Sequence, residues 1–196
     1  MNKYTRGSGL LERFLTKQRA KKAHCLIATK SKRERILDIG CGSFPYFLMV
    51  TDFKEKYGID PAVKTSLVKT KLIKLIKSKI DGKNLKFKDN YFDVVTMLAV
   101  FEHIDEGKLE QVLKDIYRIL KKDGIFIITT PAPWADKLLH QMSKLGFISK
   151  VEIHEHKHNH SRVVIENKLF DSGFSKNKVR SGYFEIGFNM WFVAEK

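Results

Sequence analysis

The chain has 196 residues, enough for one domain to bury a full core. Its 43% hydrophobic and 30% charged residues are those of an ordinary globular protein, and no apolar run is long enough to span a bilayer. The net charge of +15 is unevenly spread: residues 1–88 hold 22 Lys and Arg against 7 Asp and Glu, whereas residues 89–196 hold 15 of each. The excess lies in two stretches, 1–35 and 61–88. They predict an anionic partner (RNA, acidic lipid headgroups or a phosphorylated substrate), beside the plainer reading of a solvated lysine-rich surface. The opening MNKYTRGSGLLERF lacks the apolar centre of a signal peptide. Only Cys25 and Cys41 occur, so no disulfide framework is expected and a cytoplasmic location is the expectation.

From Leu10 to about Thr29, Leu11, Phe14, Leu15, Ala20, Ala23, Leu26 and Ile27 stand largely opposite the basic residues. That pattern predicts an amphipathic helix, packed on a sheet or lying on a membrane surface. The stretch Arg35 to Asp60 then reads strand, Gly40-Cys41-Gly42 turn, helix, strand and acid, half of a nucleotide-binding crossover. Ser43 is the expected helix cap and Pro45 the expected first-turn residue. Phe47, Leu48, Val50 and Phe53 follow at helical spacing. In PAVKTSLVKTKLIKLIKSKI, apolar residues alternate with lysines; part reads as helix, and the IKLIKSKI end equally as strand.

Val94–Val100 reads as a fourth buried parallel strand. Residues 106–121 read as a strong amphipathic helix ended by Asp123-Gly124, before a fifth strand at 125–130 stopped by Pro131-Ala132-Pro133. A helix over Leu138–Leu145, an extended run with His154, His156, His158 and His160, and a helix over 161–172 closed by Gly173 follow. The tail reads as a hairpin, 178–186 and 188–195, turning at Gly187. Strands alternating with helices predict an α/β protein with a parallel sheet covered on both faces.

ILDIGCGSFPYFL, YGIDPAV, DGKNLKFKDNYFDVV, FEHID and ILKKDGIFIITTPAP, in that order, resemble the motifs of class I S-adenosylmethionine-dependent methyltransferases of the type 11/12 kind. The resemblance is strong over roughly residues 35–131. It implies a single domain over 1–196: a basic helical arm (1–30), a cofactor core (31–131), a substrate-side region (132–172) and a strand hairpin (173–196). The implied fold is a Rossmann-like, doubly wound, seven-stranded, mostly parallel sheet with an antiparallel last strand and helices on both faces. The implied cofactor is S-adenosylmethionine, with S-adenosylhomocysteine as product.

Residue by residue, the resemblance implies that Asp38 lies near the methionine ammonium. Gly40, Cys41 and Gly42 would form the turn that approaches the ligand, and Asp60, with Pro61 after it, would accept the ribose hydroxyls. Asp81 and Gly82 would meet the adenine amino group, and Ala99 and Val100 would line the floor. One departure stands out: a third glycine is usual two positions after Gly42, and here Phe44 stands there, followed by Pro45. The dinucleotide fingerprint fails at the same position, which argues against NAD.

Glu102 and His103 are the candidate bases for an acceptor that must lose a proton. His154, His156 and His158, with His160, would share a face if extended. A metal site is one reading of them, but no Cys or paired acid completes a set, so substrate contact is preferred and no metal is expected. The Asn/Asp-Pro-Pro-Tyr motif of many amino-methylating enzymes and the cysteine pair of cytosine-C5 RNA enzymes are missing. Those absences favour a small-molecule or lipid- or glycan-linked acceptor, with oxygen as nucleophile. An RNA methyltransferase using the basic first half, and a non-catalytic S-adenosylmethionine-binding module, are the alternatives. Peripheral membrane contact is compatible with the basic arm, and no transmembrane segment is expected.

Overall fold

The computed structural model describes residues 10–27, 34–64, 72–80, 85–135 and 160–196. Seven strands form one sheet in the order β3-β2-β1-β4-β5-β7-β6. They are β1 (Arg35–Ile39), β2 (Glu55–Ile59), β3 (Ile73–Ile76), β4 (Phe92–Leu98), β5 (Leu120–Pro131), β6 (Val179–Phe184) and β7 (Asn189–Glu195). The pairs among β1 to β5 are parallel, and β7 runs antiparallel to both β5 and β6. This is the expected architecture, antiparallel last strand included.

Its central strands are apolar because both of their faces are covered. In β4, Phe92 to Thr96 and Met97 are all buried, as a parallel strand between two helical layers requires. One core lies under α3 (Glu106–Ile119) and α4 (Arg162–Asp171), which bury Leu109, Val112, Leu113, Ile116, Ile119, Ile165 and Leu169. The other lies under α1 (Leu10–Ile27) and α2 (Tyr46–Val50), which bury Ala20, Ala23, Ile27, Phe47 and Leu48. Alternate residues of β5 serve the two cores, Phe126 and Ile128 one and Ile125 and Ile127 the other.

Several local expectations need correction. Ser43 is not the cap of α2: Pro45 is the N-cap, and no side chain caps the helix. The Ser43 carbonyl instead accepts the Lys64 N–H at 3.3 Å. Val50 is exposed, and Phe53 is buried beyond the helix end. Gly124 does not end α3. The helix stops at Ile119, and β5 begins at once because Leu120 pairs with Phe92. The next pair is Val94 with Ile125, so four residues of β5 bulge opposite Asp93.

Asp123 takes the left-handed conformation in that bulge (φ 63°). Gly124 is needed for close approach, since a Cβ there would lie 2.9 Å from the Lys121 carbonyl and 3.1 Å from that of Phe92. The open reading of IKLIKSKI resolves as β3 followed by irregular chain. The helix expected at 138–145, Asp81-Gly82 and His154 to His158 lie outside the described residues.

Two devices hold the carboxyl half of the sheet in place. Arg118 of α3 donates from Nη1 to the Phe87 carbonyl (2.9 Å) and from Nη2 to the Leu85 carbonyl (2.8 Å), and it pairs with Asp89 and Asp115. Asp115 accepts the Leu85 N–H at 2.7 Å. Charge-assisted bonds to backbone therefore pin the segment entering β4 onto α3. On the opposite side, α1 stays attached through Ala20, Ala23 and Ile27, while Phe14, two turns earlier, is 53% exposed. Among the helix's described side chains, the fully buried ones lie in its second half.

Candidate functional site

Parallel strands carry their carboxyl ends to one edge, and ligands of such sheets sit where the strand order reverses. Here that point lies between β1 and β4. The chain leaves β1 through Gly40-Cys41-Gly42, with the Gly40 and Cys41 N–H groups donating to the Ile59 carbonyl of β2 at 2.7 and 3.2 Å. Gly40 and Gly42 both have positive φ, 79° and 74°. They are glycine for different reasons. A Cβ on Gly40 would lie 2.2 Å from Val100 Cγ2, whereas one on Gly42 would meet nothing within 4 Å. Val100, after β4, fills the space against the first glycine, and the second faces open space.

Two carboxylates flank the turn. Asp60 follows β2 and is 3% exposed; its Oδ2 accepts the Gly42 N–H (3.1 Å) and its Oδ1 the Ala62 N–H (2.7 Å), across Pro61. Asp38, next to last in β1, stands opposite Thr96 of β4, whose hydroxyl donates to Oδ1 at 2.7 Å. Burial pushes the Asp38 carboxyl up to about 7; the Thr96 bond works against that and the Asp60 charge adds to it. Burial and the charges of Asp38 and Asp60 likewise push the Cys41 thiol far up. It stays protonated and is no nucleophile.

After β4, Ala99 takes a left-handed φ of 55° and donates its N–H to the Thr129 carbonyl at 2.8 Å. That kink redirects the chain into a 3-10 turn, Phe101–His103. Glu102 is 3% exposed, and its Oε2 accepts the Thr130 hydroxyl of β5 at 3.0 Å. His103 is half-buried beside it, with its backbone N–H on the Val100 carbonyl at 3.0 Å. Beyond the turn, His160 Nε2 lies 3.0 Å from Glu106 Oε2, and its ring meets Phe101 edge-on. Glu106 also pairs with Lys168 of α4.

The structure therefore gathers Asp38, Gly40, Cys41, Gly42, Asp60, Pro61, Ala99, Val100, Glu102 and His103 at one sheet edge. Phe44 follows the turn, its carbonyl accepting the Tyr46 N–H at 2.8 Å. Sequence reasoning missed Thr96, Thr130 and Glu106. The first two are polar residues inside apolar strand runs, and that interruption was the available signal. Among the described residues, no group of three His, Cys, Asp or Glu could hold a metal ion.

Comparison with known proteins agrees with this geometry. Residues 37–128 match the methyltransferase domain family. An uncharacterised protein of Methanocaldococcus jannaschii is 37% identical over 95 residues, covering 47% of this chain and 39% of the relative. A sterol 4-C-methyltransferase of Caenorhabditis elegans is 31% identical over 121 residues, covering 55% and 35%. The chain thus spans well under half the length of these relatives. A solved S-adenosylmethionine-dependent methyltransferase from Thermotoga maritima superposes with a TM-score of 0.71 at 22% identity, covering 95% of this chain and 92% of that one. The match over residues 37–128 and the shared fold make this chain similar to the class I S-adenosylmethionine-dependent methyltransferases. The methyl donor of that family is S-adenosylmethionine, and S-adenosylhomocysteine is its product.

Proposed function

We propose that this protein transfers a methyl group from S-adenosylmethionine to a hydroxyl oxygen of a small-molecule or lipid- or glycan-linked acceptor. The observation that carries the donor half is the electrostatics of the β1 turn. Two buried carboxylates, Asp38 and Asp60, flank one glycine turn, and the Asp60 charge adds to what disfavours ionisation of Asp38. Such a site suits a cation. A dinucleotide pyrophosphate would need a helix N-terminus and a third glycine. Here α2 has five residues, a proline cap and Phe44 in place of that glycine.

The residues fit the donor. Asp38, raised to about 7 by burial, would ionise fully against an ammonium. Asp60 has both oxygens oriented by backbone N–H groups and keeps lone pairs for two ribose hydroxyls. Gly42 opens the space in which its backbone can approach a ligand, and Val100 forms the floor. Asp81 and Gly82 are proposed for the adenine side. The bound donor supplies an electrophilic methyl on a sulfonium, whose charge is lost as the methyl leaves. The protein's share is alignment, exclusion of water and removal of the acceptor proton. Glu102, held by Thr130, and His103 stand where that proton would go, and His154, His156 and His158 are proposed for the acceptor side.

An apolar acceptor is supported by the likeness to a sterol methyltransferase. The test is incubation of the protein with methyl-labelled S-adenosylmethionine and fractionated extract. Label in lipid, glycan or a hydroxylated metabolite is expected. Label confined to RNA would overturn the acceptor reading, and binding of the donor with no label transferred anywhere would overturn the enzyme reading.

A further inference from the structure

The β6–β7 turn carries an unusual combination. Glu185 and Ile186 are both left-handed (φ 52° and 55°), ahead of Gly187 at 86°. The turn closes through the Gly187 N–H on the Phe184 carbonyl at 3.1 Å. Asn, Asp and Gly accept this conformation, whereas a β-branched residue is strained in it. Ile186 is nevertheless there, and it is 95% exposed. The fold gains nothing from an aliphatic side chain in that place. Beside it Trp134, 53% exposed, leans on Phe188 with ring centroids 4.8 Å apart.

This tip borders the site edge, because Asn189 pairs with Pro131 at the end of β5 and the Ala132 N–H donates to the Phe188 carbonyl at 2.8 Å. Helix α1 runs toward the same edge. Its Lys22 ammonium sits over the Trp191 ring at 4.6 Å, and three residues earlier Arg19 faces Glu185 at the turn. Continuing N-terminally brings exposed Lys17 and then exposed Phe14 level with or past the tip. Lys17 and Lys21 are both exposed and share a helix face. The acid at the tip is engaged locally, since Glu185 accepts from Asn189 and feels the Arg19 charge.

We propose that this edge docks on an anionic lipid bilayer, with Ile186, Trp134 and Phe14 entering the interface and Lys17 and Lys21 meeting the headgroups. Charge complementarity favours an anionic partner, and the aliphatic tip selects among anionic partners. A 95%-exposed isoleucine at the tip suits acyl chains and offers no ring face on which a base could stack. Docking would hold the cofactor edge at the membrane surface. It stands independently of the acceptor reading and is measured without cofactor or turnover.

The test is co-sedimentation of the full chain with phosphatidylcholine vesicles, with and without phosphatidylglycerol, at low and high salt. Binding to the anionic vesicles is expected, weakening steeply with salt. Ile186→Asn should reduce partitioning by about tenfold, with the unfolding temperature unchanged or raised because Asn accepts the left-handed conformation. The pair Lys17→Glu and Lys21→Glu should reduce it further. No binding to anionic vesicles would overturn the proposal. So would binding that all these variants retain, or variants whose only loss is in RNA binding or self-association.

Discussion

Replacing Asp38 with Asn separates what this carboxylate costs the free protein from what it is proposed to do for the ligand. The Asp38 carboxyl is buried, and its pKa rises from 3.8 to about 7 on folding. The folded state therefore binds the proton more tightly than the unfolded chain does. A folded pKa above the unfolded one means that stability falls as pH rises from about 4 to about 7 and is level above that. Three pKa units correspond to roughly 4 kcal/mol over the whole window, of which about 3 kcal/mol falls between pH 5 and pH 8.

Asn is nearly isosteric and can still accept from Thr96, so Asp38→Asn should be stabilised relative to the parent far more at pH 8 than at pH 5. Its response to S-adenosylmethionine should be largely lost, because no charge is left to meet the ammonium. Chemical denaturation at the two pH values, with and without ligand, reads both effects. A stability difference equal at pH 5 and pH 8 would refute the electrostatic assignment. Unchanged ligand affinity would refute the role.

Asp60→Ala should weaken S-adenosylmethionine binding by one to two orders of magnitude in calorimetric titration, since it removes a proposed ribose acceptor and the anchor of the Gly42 N–H; NAD should bind more weakly than S-adenosylmethionine throughout. Gly40→Ala should destabilise by about 2–4 kcal/mol, because a Cβ there meets Val100 at 2.2 Å at a positive φ; adding Val100→Ala should restore part of the loss in denaturant melts. Arg118→Ala should cost about 2–4 kcal/mol, because it frees two backbone carbonyls and Asp115 together. Thr130→Val should lower turnover about tenfold or more without changing donor affinity, by releasing Glu102; an equal loss of donor binding would place Glu102 on the cofactor side instead.

What could be read from the chain was local. The apolar run ending at Asp38-Ile39, the glycine turn and the acid ending YGID are adjacent in sequence, so their order announces the crossover before any tertiary contact is known. Likewise α3 is legible because five buried apolar residues recur on one face. The failures needed cross-strand neighbours. Nothing near Gly124 shows that Phe92 will pair with Leu120 and draw β5 back by five residues from the expected Ile125. Nothing near Thr96 shows that it stands opposite Asp38, 58 positions away. The cap failed for a related reason: the N-cap of α2 is Pro45, two residues later, and the Ser43 carbonyl faces the turn after β2, where it accepts the Lys64 N–H. Phe14 fits the helical stripe by spacing, yet it stands 53% exposed.

The departure at Phe44-Pro45 is compatible with the charge of what is bound. In a dinucleotide site the third glycine brings the helix close to the strand, and the helix N-terminus meets a pyrophosphate. A proline N-cap on a five-residue helix supplies little of that, and it leaves a weak dipole beside the turn. A cationic donor needs none of it. What it needs is negative charge held without water, and Asp38 and Asp60 provide that from the ends of two adjacent parallel strands. Losing the glycine therefore removes a feature that serves anions, while the acids that serve a cation remain. The test of that logic is a restoration: Phe44→Gly should leave S-adenosylmethionine affinity within about threefold and confer no measurable NAD binding. A gain of NAD binding would mean that the turn residue, and not the acid pair, sets the choice of ligand.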